Sequence, residues 1–303
     1  MGEYTSAGFE VPTSCSCRAA WIYRRRVMVS QIKLRESLNF KRIFITVDAE
    51  PDILNVVKDE RLNFKNKRAI VSGPLTHLGK KLVKELVKQG AKVIAFGGSE
   101  GDLVHLRKTN PQIEIIPADL KSWLHTEIAF GKVGPVDYLV NCAECNALGS
   151  IADITEEDVD YILNTNLKAA INISRMVAKS FIQHSIRGSI VNVSSQASKI
   201  GLRKQSIFCA SKAGLDGYTR AAALELASLG IRINCVNPTV LMPELKEGIW
   251  CDHKMSDALL SRIPLKKFCE LQEVVDAIIF LLSDNASFIT GICLSIDGGI
   301  SSS

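Results

Sequence analysis

The first residues that point to chemistry are two glycines six positions apart. In Ile70-Val71-Ser72-Gly73-Pro74-Leu75-Thr76-His77-Leu78-Gly79, an apolar run ends at Gly73, and a helical pattern opens around Gly79. A dinucleotide turn needs such glycines so that backbone N–H groups can approach a pyrophosphate at a helix N-terminus. Two of the three glycines of that turn are present. Further on, Phe208 and Lys212 stand at i and i+4 and so share one helix face. Cys142-Ala143-Glu144-Cys145 has C-x-x-C spacing. Zinc would need two more ligands, and no matching pair lies nearby. A redox pair would need a helix directly behind it. No metal site is therefore expected.

The elements that must hold these residues follow a regular rhythm from residue 66 onward. Short runs rich in Val and Ile read as strands over 68–71, 92–96, 114–117, 137–141, 188–193, 231–236 and 292–296. Their near-continuous apolar character means burial on both faces, hence a parallel sheet. Helical periods fall around 78–89, 155–184, 206–229 and 271–283. Thr155 with Asp158 three residues on reads as a capping box. About seven strands alternating with helices predict an α/β class, Rossmann-like, doubly wound single domain over 66–303. Residues 1–65 lack the rhythm and form a basic N-terminal extension.

Length and charge bound the remaining options. The 303 residues suffice for one large domain with a real core. Eight basic against three acidic residues in 1–42 account for the whole net charge of +5, so the body is neutral. That excludes a nucleic-acid field on the body. No run of 18 apolar residues exists, so no spanning helix is expected. Nine cysteines without framework spacing read as reduced thiols inside a cell, with the cytoplasm as the expected compartment. Met1-Gly2-Glu3-Tyr4-Thr5-Ser6 fits an acylation signal at Gly2, with Cys15 and Cys17 as second sites. Mitochondrial targeting by the Arg-rich tail and a free or partner-bound tail are the other readings.

The order of motifs then narrows the family. Asp119-Leu120 follows the third strand and Asn141-Cys142-Ala143 the fourth. Asn166 lies in the long helix, and Asn192-Val193-Ser194-Ser195 ends the fifth strand. Phe208-Cys209-Ala210-Ser211-Lys212 begins thirteen residues after Ser195; Asn237-Pro238 and Asp297-Gly298-Gly299 close the series. Over residues 66 to about 300 this resembles the short-chain dehydrogenase/reductase family. Arg262-Ile263-Pro264-Leu265 and Phe280-Leu281-Leu282-Ser283-Asp284 are most similar to its dicarbonyl/L-xylulose reductase branch. The resemblance implies NADP(H) or NAD(H) contacts from Gly73, Gly79, Asp119, Leu120, Asn141 and Lys212. It also implies that Ser195 orients a carbonyl, Lys212 holds the nicotinamide ribose, and Asn166 supports a relay water. A homo-oligomer, a tetramer through the long helices and the last strand, is implied as well.

The departures from that pattern shape the functional expectation. The proton-donating tyrosine position is Phe208, and a phenyl ring has no proton to transfer. The five tyrosines are Tyr4, Tyr23, Tyr138, Tyr161 and Tyr218; none is an obvious substitute, and Tyr161 is not expected to reach in from the long helix. The middle glycine is His77, read as a helix-start residue filling an empty pocket. Pro74 removes a donor, Thr76 and Gly98 stand where basic 2′-phosphate contacts belong, and Glu144 replaces a glycine. The expectation is a catalytically silent reductase-like protein, a structural or binding component with a possible protein partner on residues 1–65. The alternative is a weak or altered NADP(H)-dependent carbonyl or L-xylulose reductase.

Overall fold

The computed structural model describes residues 64–242 and 253–302. The expectations for Gly2, Cys15, Cys17 and the basic tail therefore lie outside the described residues. Seven strands form one sheet: β1 (Arg68–Ser72), β2 (Lys92–Phe96), β3 (Glu114–Ile116), β4 (Tyr138–Asn141), β5 (Ser189–Val193), β6 (Arg232–Pro238) and β7 (Cys293–Ile296). Their order is β3-β2-β1-β4-β5-β6-β7, and every pairing is parallel. The chain reverses its direction of winding between β1 and β4. In such sheets the crevice at the carboxyl ends beside that point takes ligands.

Eight α-helices flank the sheet among the described residues: α1 (His77–Lys88), α2 (Glu100–Thr109), α3 (Trp123–Phe130), α4 (Glu156–Leu163), α5 (Ala169–Gln183), α6 (Ser206–Leu226), α7 (His253–Arg262) and α8 (Leu271–Leu282). Strand alternation divides the core in two. Ala69 and Val71 of β1 face the layer of α1, α2 and α8. Ile70 of the same strand faces α3, α5 and α6. The first described residue, Phe64, is buried with its ring edge-on to Tyr138 at 5.2 Å. These residues make a single Rossmann-like domain.

The expected strands lie within two residues of the observed ones, because burial on both faces gives a strong apolar signal. Three helices went unread. α2 buries only Leu103 and Leu106, and α3 only Thr126 and Ala129, so neither writes a clear apolar stripe. The helix expected over 155–184 is interrupted. A five-residue π-helical turn, Asn164–Lys168, separates α4 from α5. The Thr155–Asp158 capping box forms with both of its bonds.

Arg232 ties the start of β6 to the end of α8. Its guanidinium donates to the carbonyls of Leu281 at 2.7 Å and of Leu282 and Ser283 at 3.0 Å each. These oxygens have no partner inside the helix, and a cation suits that end of its dipole. Replacing Arg232 with Met should cost about 2–4 kcal/mol in denaturant unfolding, since charged bonds to partly buried carbonyls are lost together.

Candidate functional site

The site lies where β1, β4, β5 and β6 end. Gly73 follows β1 with φ +67°, and a Cβ there would sit 2.4 Å from the Ala143 nitrogen. A Cβ on Gly79 would sit 2.4 Å from the Gly73 carbonyl oxygen. Packing against the β4 loop therefore demands Gly73, and the fold of the turn itself demands Gly79, without any ligand. Thr76 caps α1: its hydroxyl accepts from the Gly79 N–H at 2.9 Å and donates to the Gly73 carbonyl at 3.1 Å. His77 is exposed as the first residue of α1, so it fills no buried pocket as expected. An added Cβ would meet the Leu75 methyl at 2.6 Å on Gly98 and the Leu120 methyl at 2.7 Å on Gly97. Aliphatic side chains thus cover the ends of β2 and β3. Asp119 is exposed and accepts from the Lys121 N–H at 3.1 Å, closing its own turn. Asn141 is committed to structure: its amide donates to Asn192 at 2.8 Å and Ser174 at 3.0 Å and accepts from Ser72 at 3.0 Å.

The residues of α6 and the β4 and β5 ends do converge. Lys212 is fully buried. Its ammonium donates to the Val193 carbonyl at 3.0 Å and lies 2.5 Å from a Glu144 carboxylate oxygen. It also stands 5.4 Å from the centre of the Phe208 ring, one helical turn back. Phe208 is itself buried. Ser195 is half-buried, and its hydroxyl accepts from the Ala197 N–H at 3.1 Å, capping a short 3-10 turn. Asn166, placed by the π turn, bonds Cys145 with both ends of its amide. The Cys145 N–H donates at 2.8 Å, and the Asn166 amide nitrogen donates to the Cys145 carbonyl at 2.9 Å and to the Ser211 hydroxyl at 3.2 Å. Asn166 therefore holds the loop that presents Glu144.

No described tyrosine takes the place of the missing phenol. Tyr161 is half-exposed on α4, under the Lys121 ammonium at 5.6 Å and beside the Cys145 thiol. Tyr218, on α6, packs partly buried against the core, where burial raises its pKa and the Ser174 hydroxyl partners it. Tyr138 packs on Phe64, and burial lifts it to about 12. The C-x-x-C thiols are likewise held protonated: burial pushes Cys142 to about 12 and raises Cys145. No helix follows them directly. Sequence reasoning treated Glu144 only as a repulsive charge near a phosphate. Its union with Lys212 crosses from a loop to a helix 68 positions away, and no local pattern marks it. Nearby, a cavity of about 540 Å³ is lined by Thr239, Leu265, Phe268, Cys269, Ile296 and Asp297.

Comparison with known proteins now defines the class. A family model described as "Enoyl-(Acyl carrier protein) reductase" matches residues 76–301. The chain belongs to the short-chain dehydrogenase/reductase family. It is 42% identical to L-xylulose reductase of Bos taurus over 78% of this chain and 98% of that protein. Against human L-xylulose reductase it is 41% identical, covering 77% and 96%. For D-erythrulose reductase of Gallus gallus the figures are 40%, 78% and 97%. Among solved structures, a protein from Sinorhizobium meliloti described as a short-chain alcohol dehydrogenase aligns with TM-score 0.74 and 29% identity, over 80% of this chain and 99% of its own. A protein from Agrobacterium tumefaciens with bound NADP aligns with TM-score 0.73 and 26% identity, over 80% and 99%.

Asn166→Ala removes three hydrogen bonds from buried and partly buried groups. Equilibrium unfolding should show a loss of about 2–4 kcal/mol. Amide exchange around Cys145 should quicken.

Proposed function

We propose that this chain is a catalytically silent member of the dicarbonyl/L-xylulose reductase branch, a reductase-shaped scaffold that binds other proteins. The observation that carries the reading is Phe208, which occupies the proton-donor position and points a phenyl ring at Lys212. Positioned general-acid help is worth about 10²–10⁴ in rate, and phenylalanine supplies none.

The cofactor side supports the same reading. A dinucleotide ribose needs N–H groups from the lysine, and two of the three on the Lys212 ammonium are engaged by Glu144 and the Val193 carbonyl. Phosphate needs open N–H groups at the N-terminus of α1, and Thr76 already caps that of Gly79. Leu75 lies over Gly98, where NADP-binding relatives place an arginine. These contacts compete with a dinucleotide for the groups that would hold it.

In this reading residues 1–65 carry the added partner contact, and the body assembles as a homo-oligomer. Leu224 on α6 and Phe288 before β7 are exposed apolar residues that suit such an interface. No described helix is long and apolar enough to cross a membrane. The cytoplasm is the proposed compartment.

A second reading has its own observation. Ser195, Lys212 and Asn166 are all present, and a weak or altered carbonyl reductase using NADP(H) or NAD(H) would require them. Calorimetric titration separates the two. Under the scaffold reading, millimolar NADPH or NADH gives no binding heat and no thermal shift. A cofactor at a hundred times its Kd would instead stabilise by about 2.7 kcal/mol. Phe208→Tyr alone stays inactive on dicarbonyls and L-xylulose, whereas Phe208→Tyr with Glu144→Gly recovers cofactor binding. Turnover by the unaltered chain at the pace of ordinary family members would sink the proposal.

A further inference from the structure

Cys235 of β6 and Cys293 of β7 are directly paired in register. Neighbouring strands lie about 4.8 Å apart, and disulfides span Cα separations of about 4.4–6.8 Å. Both side chains meet α6. Cys235 Sγ lies 3.1 Å from the Thr219 hydroxyl, and Arg220 donates to Cys293 Sγ at 3.7 Å. The two sulfurs and a carboxylate oxygen of Asp216 lie within 4.8 Å of one another. Cys235 is fully buried, whereas Cys293 is half-buried on the edge strand beside Arg220.

The two thiols are unlike. Burial holds the Cys235 thiol well above its ordinary pKa. Cys293 is drawn below its own by the hydrogen bond from Cys235, helped by the Arg220 guanidinium and opposed by burial and Asp216. Lys199 adds a cation close by, on the Cys293 carbonyl at 3.3 Å. A partly accessible thiol beside a cation, backed by a buried thiol, is the arrangement of a reactive and a resolving cysteine. Zinc would want four donors, and a guanidinium already stands at one of these sulfurs.

We propose that Cys235 and Cys293 form a redox-sensitive dithiol that a peroxide closes into a disulfide between β6 and β7. The Cys293 thiolate attacks one peroxide oxygen, the O–O bond breaks, and the departing hydroxide takes a proton to become water. Cys293 is then a sulfenic acid. The Cys235 sulfur attacks the Cys293 sulfur, the S–O bond breaks, and the hydroxyl leaves with the thiol proton as a second water. Two thiols and one hydrogen peroxide thus yield one disulfide and two waters. The bond would tie the edge strand to its neighbour, along with the turn after β7 whose Asp297 lines the 540 Å³ cavity. The inference stands whether or not a dinucleotide binds.

The test uses the full chain, reduced and then exposed to rising equivalents of hydrogen peroxide. Remaining thiols are blocked with N-ethylmaleimide and the peptides mapped by mass spectrometry. A linked Cys235–Cys293 peptide, two hydrogens lighter and reversed by dithiothreitol, should accumulate before other cysteines change. Arg220→Gln should slow alkylation of Cys293 several-fold at neutral pH. In Cys235→Ser, dimedone should trap a sulfenic acid on Cys293; the map of the unaltered chain does not depend on that variant folding. The proposal falls if the pair stays reduced while other thiols oxidise, or reacts only after unfolding in urea. It also falls if the purified chain carries one zinc per molecule that Cys293→Ser releases.

Discussion

A wholly buried ammonium governs this site. Taking a charge out of water costs several kcal/mol unless an opposite charge and good hydrogen bonds compensate. Lys212 can be buried because the Val193 carbonyl and the Glu144 carboxylate meet it there. The rest follows from that need. Glu144 must be presented at one height in the crevice, so the loop after β4 cannot wander. Asn166 pins that loop through Cys145, and the π turn aims Asn166 inward. Two of the lysine's three N–H groups are thus engaged by the protein itself.

The same separation of fold from chemistry runs through the glycine turn. Gly73 and Gly79 survive because backbone atoms stand where their side chains would go. That constraint belongs to the packing of Gly73 on the β4 loop and to the fold of the turn around Gly79, and it holds with or without a dinucleotide. Gly98 is constrained too, by its positive φ and by Leu75, whereas the exposed His77 is not.

Much of the architecture was legible in the sequence. Doubly buried strands write continuous apolar runs, and these marked all seven strands. Helices with a broad buried face, such as α1 and α8, were equally plain. α2 and α3 bury two residues each and so left little trace. Phe208, Lys212, Ser195 and Asn166 were placed by their order and spacing, and the fold does bring them to one end of the sheet.

What residue order settles by itself is local: strand burial, helix caps such as Thr155, and the absence of a phenol one turn before Lys212. What only the tertiary structure decided is who meets whom across the sheet. Glu144 was a stray acid until the β4 loop and α6 were brought together around Lys212. Cys235 and Cys293 were two scattered thiols until β6 and β7 were laid side by side. Such pairings depend on sheet order and register, which join residues tens of positions apart and leave no periodicity along the chain.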